Sequence, residues 1–306
     1  MKIYYDLKKG TILDLEKDSC KFEVWENNFK EFSCCLHPSG FYIFLSPDEI
    51  DSSDEYNDND PYTVLENFQS DFHQRRLNST IELIKKSEFS MNLLDLGCGQ
   101  GHFTDKIKKK FSDYNVYGLD YSFSAIKYAV ANFKNIDFIV ANAYTPPYTD
   151  NFFDIIILNN LWEHVPDPLN LLQSISRILK PNGQLIISTP SRFRFANLIK
   201  VCLGKNISFM SKLHVTEYTI GQIKEQLKFG GYEVDKVYSP PIKEGALIFR
   251  ILKYLIYISL KTIKSHHILE STVFYSANKV PPIDNNVQLA DDARYKEESI
   301  DKLVLN

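Results

Sequence analysis

The chain has 306 residues, of which 44% are apolar and 24% charged, with a formal net charge of −4. This composition suits a globular protein with a sizeable core, roughly two domains' worth of chain, and excludes a disordered, collagen-like or disulfide-scaffold protein. The acidic balance argues against a broad basic face that grips nucleic acid, so no nucleic-acid partner is expected.

In chain order, the N-terminus MKIYYDLKKG lacks the apolar core of a secretory signal. Five scattered cysteines, Cys20, Cys34, Cys35, Cys98 and Cys202, contain no C-x-x-C pair. They read as reduced thiols of a cytoplasmic protein, in preference to a zinc site built from Cys20, Cys34, Cys35 and His37. Cys20 to Val24 alternates apolar and polar, and Phe41 to Leu45 is an apolar run, so both predict short strands. Pro47 to Pro61 holds seven acids and no base, which predicts a solvated linker or loop. Residues 1–60 are therefore expected to form a small β-containing module with an acidic linker.

Helical spacing of apolar residues runs from Tyr62 to Lys86. The period then changes. Leu93 to Leu96, Val116 to Leu119, Ile136 to Val140, Phe153 to Leu158 and Gln184 to Ser188 read as buried strands. Helices are expected at His102–Phe111, Ser124–Phe133 and Leu169–Leu179. A further helix at Gln222–Phe229 and strands at Tyr232–Val237 and Val273–Ala277 complete the pattern. Continuous apolar strands alternating with helices predict a parallel sheet covered on both faces. Residues 61–280 are expected to be the main domain and the polar stretch 281–306 a frayed tail.

Gly245 to Lys264 reads as an inserted helix. Arg250, Lys253, Tyr257, Lys261 and Lys264 form one narrow basic stripe on an otherwise apolar cylinder. The charges leave too short an apolar run to span a membrane. Three readings stand: a cover over a substrate pocket, a dimer face, or peripheral membrane contact.

The sharpest motif is Leu93-Leu94-Asp95-Leu96-Gly97-Cys98-Gly99-Gln100-Gly101. A glycine turn between strand and helix lets a ligand approach backbone N–H groups at a positive helix end. The G-x-G-x-G spacing lacks the third glycine position of the dinucleotide fingerprint. Asp120 ends the next strand, where a carboxylate accepts from a ribose diol. Strand, glycine turn, helix, strand and acid point to an adenosine-containing ligand.

Five motifs in order, LLDLGCGQG, VYGLDYS, IVANAYTPPYTDNFFDIIILNNLWEHVPDP, ILKPNGQLIISTP and HVTEYT followed by KFGGYEV, resemble the class I S-adenosylmethionine-dependent methyltransferases. They are most similar to the subgroup containing ubiquinone-biosynthesis O-methyltransferases. The resemblance implies a Rossmann-like, doubly wound, mostly parallel seven-stranded α/β sheet. It also implies S-adenosyl-L-methionine as cofactor and a small-molecule methyl acceptor. Gly97, Cys98, Gly99 and Gly101 would line the methionine moiety and Asp95 would reach its amino group. Asp120 would hold the ribose, Tyr121 would flank the adenine, and Asn142 and Ala143 would meet the adenine edge. Asn142 stands where the family usually has Asp. Asn159 and Leu161 would border the transfer point.

Methyl transfer from a sulfonium expels a neutral leaving group, so alignment does most of the work. A base is needed only if the acceptor is a hydroxyl. His164 is the first candidate and His214 the second; each is otherwise a structural hydrogen-bonder. Glu163 reads as a metal ligand or as a partner for a base, and no resident metal is expected because no acid cluster accompanies it. Thr145-Pro146-Pro147-Tyr148 differs from the amino-methyltransferase motif [DN]-P-P-Y in its first residue and in its strand, and reads as a rigid loop. O-methylation of a small molecule is the expected activity. A macromolecular acceptor or a non-catalytic cofactor-binding scaffold are the alternatives.

Overall fold

The computed structural model describes residues 3–25, 30–53, 71–239, 247–262 and 269–280. The acidic run beyond residue 53, the helical pattern at 62–70, Lys264 and the tail 281–306 lie outside the described residues.

Twelve strands are described: β1 (Tyr5–Asp6), β2 (Thr11–Ile12), β3 (Ser19–Lys21), β4 (Cys34–Leu36), β5 (Tyr42–Ile43), β6 (Asn92–Leu96), β7 (Asn115–Asp120), β8 (Asp137–Val140), β9 (Phe153–Asn159), β10 (Leu179–Pro190), β11 (Tyr232–Tyr238) and β12 (Thr272–Lys279). β1 and β2 form a small sheet of their own, and the other ten form one sheet in the order β11-β12-β10-β9-β6-β7-β8-β5-β4-β3. The seven strands from β11 to β8 carry the doubly wound arrangement expected from the motifs. They are parallel except for β12, which is antiparallel to both β10 and β11. The leader adds to this sheet: Tyr42 and Ile43 pair in parallel with Ile139 and Val140.

The period-2 alternation of buried strands sets the layers. Ile156, Leu158, Leu185 and Ile187 face one side, where Leu171, Leu172 and Ile175 of helix Pro168–Ile178 pack. Ile155, Ile157 and Ile186 face the other, against Leu77 of helix Asp71–Leu83 and Phe103 and Ile107 of helix His102–Lys110. The Thr145–Tyr148 loop is pinned, as its prolines suggest. Arg177 donates to the carbonyls of Pro146 and Tyr148 at 2.5 and 2.7 Å, and the Tyr148 ring packs edge-on to Phe153 at 4.8 Å.

Several local expectations are corrected. Pro47–Ser53 is a helix, not a loop. Ser46 and Glu49 form a reciprocal cap: Ser46 N donates to Glu49 Oε2 at 2.8 Å, and Glu49 N to Ser46 Oγ at 3.4 Å. Pro47 sits at the first helical position, where its missing N–H costs nothing. Of the first predicted strand only Cys20 and Lys21 pair, within Ser19–Lys21; Phe22–Val24 turns into a 3-10 helix. Helix Phe195–Cys202 was not anticipated. All five cysteines are unbridged. Burial holds the Cys34 thiol up at about 12, and His37 stacks on Phe41 at 4.5 Å. No helix among the described residues is long and apolar enough to cross a membrane.

Gly118 lies mid-strand in β7 because nothing larger fits. A Cβ there would come within 2.5 Å of Phe138 Cδ1 and 3.0 Å of Cys98 Sγ. Gly118→Ala is expected to destabilise the fold by about 1–3 kcal/mol through overpacking, read as a lower urea midpoint. An unchanged midpoint would show that Phe138 moves aside freely.

Candidate functional site

β6 connects onward to β7 on one side, while β9 pairs on its other side. Strand order reverses there, and in open parallel sheets the loops at the carboxyl ends of such strands part to leave a crevice. A cavity of about 370 Å³ occupies this place.

Its floor is the glycine turn. Gly97 and Cys98 both donate their N–H to the Leu119 carbonyl, at 2.8 and 3.1 Å. Gly97 and Gly99 adopt φ of 80° and 52°, a region that side chains resist. A Cβ on Gly99 would meet nothing within 4 Å, so the backbone faces open space. Gly101 does something else: a Cβ there would come within 2.9 Å of Phe138 Cζ and 3.0 Å of Ala129 Cβ. It lets helix His102–Lys110 close onto the sheet and is not part of the cavity wall.

Asp120 Oδ2 accepts from Gly99 N at 2.7 Å and Oδ1 from Ser122 N at 2.9 Å. The carboxylate thus ties the β6 turn to the β7 turn while lining the cavity with Tyr121. Asp95 is buried at the end of β6. Its Oδ2 accepts from Thr104 Oγ1 at 2.6 Å, and its Oδ1 has no partner. Burial, reinforced by Asp120, pushes this carboxyl up to about 7 against the lowering effect of Thr104. Cys98, Ala143, Asn159 and Leu161 also line the cavity; Asn142 does not. Asn142 Oδ1 instead accepts from Tyr144 N at 2.9 Å, closing a local turn.

His164 and His214, fifty residues apart, meet on the cavity wall with ring centroids 4.9 Å apart. His164 Nδ1 lies 3.2 Å from the Leu213 carbonyl. A carbonyl only accepts, so that nitrogen carries the proton and Nε2 keeps a lone pair. Burial and the neighbouring His214 lower the His164 pKa. His214 Nδ1 lies 3.0 Å from Glu217 Oε1. Glu217 is fully buried, paired with the buried Arg194, and also accepts from Met210 N. The same argument leaves His214 Nε2 as the basic nitrogen.

Glu163 is fully buried beneath this pair and outside the cavity wall. Its backbone carbonyl accepts from Val215 N at 2.8 Å and Thr216 N at 3.2 Å, which draws the His214 segment onto the loop after β9. Burial pushes its carboxyl up to about 7, against the lowering influence of its backbone, Thr189 and Arg76. The Thr189 hydroxyl falls outside hydrogen-bond geometry, so neither Glu163 oxygen is paired. Glu163, His164 and His214 bring one ligand atom each within 4.8 Å of one another, an arrangement able to hold a metal ion. The sequence reading missed this convergence because His214 comes from a distant segment.

It also missed one whole wall. His73, Arg76 and Leu77 line the cavity from helix Asp71–Leu83, as do Gln100, His102 and Phe103. Burial and the Arg76 charge push His73 down to about 4. The steps of three and one between residues 73, 76 and 77 put them on one helix face, the one signal the sequence carried.

A family model described as a methyltransferase domain matches residues 68–237. An S-adenosylmethionine-dependent methyltransferase of Mycolicibacterium smegmatis is 26% identical over 144 residues, 47% of this chain and 52% of that protein. Demethylmenaquinone methyltransferase of Lactococcus lactis is 32% identical over 102 residues, 31% of this chain and 40% of that one. The chain thus spans about half the length of these curated relatives. Phosphoethanolamine N-methyltransferase 2 of Haemonchus contortus, solved with S-adenosyl-L-methionine, superposes with a TM-score of 0.52 at 17% identity, over 76% of this chain and 60% of that one. At that identity the likeness is one of fold.

The raised Asp95 pKa has a measurable consequence. In the unfolded chain this carboxyl ionises near 4, roughly the model-peptide value; in the folded protein it ionises at about 7. Between those values the unfolded state holds fewer protons at this position, so its contribution to stability declines as pH rises from about 4 to 7. Asp95→Asn keeps an acceptor for Thr104 and removes the titration. Urea unfolding should show the stability of the variant relative to the parent growing across that window. Parallel pH profiles would contradict the assignment.

Proposed function

The chain belongs to the methyltransferase-domain family, and on that premise we propose that it is an S-adenosylmethionine-dependent enzyme that methylates a hydroxyl on a small, largely apolar acceptor. The transfer machinery falls to residues 61–280. The residues present fit the cofactor on the chemistry of the donor set. The unpaired, buried Asp95 Oδ1 suits the ammonium of the methionine moiety. The open backbone at Gly99 suits its close approach. Asp120 is the acceptor for the ribose diol, and Tyr121 and Ala143 border the adenine. Asn142, whose Oδ1 is engaged by Tyr144 N, would serve the adenine edge through the local backbone turn instead of its side chain. When bound, the cofactor supplies a methyl group on a sulfonium with a neutral leaving group.

What remains for the chain's side chains is to orient the acceptor and take its proton. The observation that carries the O-methylation reading is His214 on the cavity wall, backed by buried Glu217 and Arg194. Glu217 orients the imidazole and stabilises the imidazolium formed when Nε2 removes the acceptor proton. Arg194 pairs with Glu217 from behind and fixes its position. His164 then lines the transfer point as a neutral neighbour, reversing the order in which the sequence ranked the two histidines. Leu77, Phe103, Leu161 and Leu213 on the wall favour an apolar ring system. The likeness to a demethylmenaquinone methyltransferase and the ubiquinone-subgroup motifs support a quinone-like or phenolic acceptor.

A second reading rests on Glu163, whose paired lone electrons have no donor. With His164 and His214 it would hold a divalent cation, and the cation rather than a base would lower the acceptor hydroxyl's pKa.

Two measurements test these readings. Asp120→Ala should weaken S-adenosylmethionine binding by about 2 kcal/mol or more, from lost charged hydrogen bonds; calorimetry showing an unchanged dissociation constant would remove Asp120 from the site. His214→Asn should lower kcat by about 10²–10⁴ with cofactor affinity retained. If chelation abolishes the parent's activity and added divalent metal restores it, the second reading replaces the first.

A further inference from the structure

Two segments expose apolar side chains among charges of one sign. Helix Leu247–Thr262 rests on the protein through Lys253, Ile256 and Leu260, which are half-buried at helical spacing. The rest of its apolar surface is open: Ile248 is 72% exposed, Tyr254 62% and Leu255 55%. Its charged residues are Arg250, Lys253 and Lys261, with no acid.

The second segment is helix Phe195–Cys202 and the loop after it. Val201, Leu203, Phe209, Met210, Leu213 and Val215 are exposed there, Leu203 at 64% and Leu213 at 54%. Lys200, Lys205 and Lys212 stand among them. From Pro168 to Thr216 the chain contains seven Lys or Arg and no Asp or Glu. In a chain whose net charge is −4, that is a strong local reversal.

The two segments are joined. Phe195 N donates to the Leu269 carbonyl at 2.9 Å, and Glu270, the next residue, pairs with Lys253 of the exposed helix at 2.5 Å. Leu213 belongs to the patch and to the cavity wall, beside Ser211 and His214.

Exposed apolar surface of this extent marks an interaction face. A protein partner would be served by either charge sign or by neutral polar residues. Here every charge interleaved with the apolar residues of both segments is positive, which complements an anionic lipid headgroup layer. Long basic side chains extend to headgroups while their stems and the neighbouring Leu, Ile and Phe enter the acyl boundary. Tyr254 and Tyr257, both exposed, have the amphipathic rings suited to that depth. The helix is not a span, so it would lie in the plane of the interface. We propose that helix Leu247–Thr262 and the segment Phe195–Val215 together dock this protein on the surface of an anionic phospholipid bilayer. Leu213 then brings the cavity rim to the membrane, so an apolar acceptor would enter from the lipid; that consequence, unlike the docking, rests on the proposed methyl transfer.

Co-sedimentation of the full chain with phosphatidylcholine vesicles, with and without phosphatidylglycerol, tests the docking and requires no catalysis. The protein should pellet with the anionic vesicles, remain in solution with phosphatidylcholine alone, and release as salt is raised. Arg250→Glu/Lys261→Glu and Lys205→Glu/Lys212→Glu should each weaken vesicle binding by about tenfold or more. All four positions are exposed, so circular dichroism should match the parent, and the salt dependence of the unmodified protein gives an independent readout. Failure to pellet with anionic vesicles at low salt overturns the proposal. So does a reversible dimer, seen by light scattering, that Ile248→Asp/Leu255→Asp dissociates.

Discussion

The N–H of Gly99 donates to the carboxylate of Asp120 across 2.7 Å, and the site is organised around that bond. It joins the turns after β6 and β7, two neighbouring parallel strands whose carboxyl ends would otherwise carry independent loops. The adjacent bonds from Gly97 and Cys98 to the Leu119 carbonyl align the turn with β7. A backbone so constrained presents its remaining polar groups to the crevice in a fixed direction. Preorganised groups of this kind are what a reaction governed by alignment requires. The glycines follow from the same constraint, since the φ values of Gly97 and Gly99 exclude most side chains.

The site departs from what stability alone would select. Asp95 and Glu163 are buried carboxyls with unpaired oxygens, and burying such groups without partners is unfavourable. Their raised pKa values express that cost. Arg194 and Glu217 are buried too, but they pair with each other, and Glu217 also pairs with His214. A buried ion pair of this kind adds little net stability after desolvation; its effect is to hold one imidazole in one orientation and one tautomer. Asp95 lines the cavity, whereas Glu163, Arg194 and Glu217 lie behind its wall.

Most of the sheet was legible because buried parallel strands read as apolar runs and β6, β7, β9 and β10 are each followed by a helix of a different period. The misses have local causes. Ser46-Pro47-Asp48-Glu49 is a capping sequence, but its acidic surroundings suggested a linker. Gly101 looks like its neighbours in the motif, yet it serves helix packing against Phe138 and Ala129. Asn142 occupies the expected loop but spends its side-chain carbonyl on Tyr144. The β-like leader was expected to stand apart, whereas Tyr42 and Ile43 continue the main sheet through β8; no periodicity reveals which edge a short strand will join.

The sequence by itself determined the class of fold, the glycine turn, and the acid at the end of the second core strand. These depend on residues within about thirty positions of one another, where spacing and periodicity dictate geometry. Only the tertiary structure decided which side chains converge. His73 and Arg76 come from before β6, and His164 meets His214 and its buried Glu217–Arg194 support across fifty residues. The exposed helix and the segment after β10 share an edge only because Leu269 and Glu270 link them. Such meetings are fixed by strand order and by the reversal at β6, and strand order is a property of the packed sheet that no local stretch of sequence encodes.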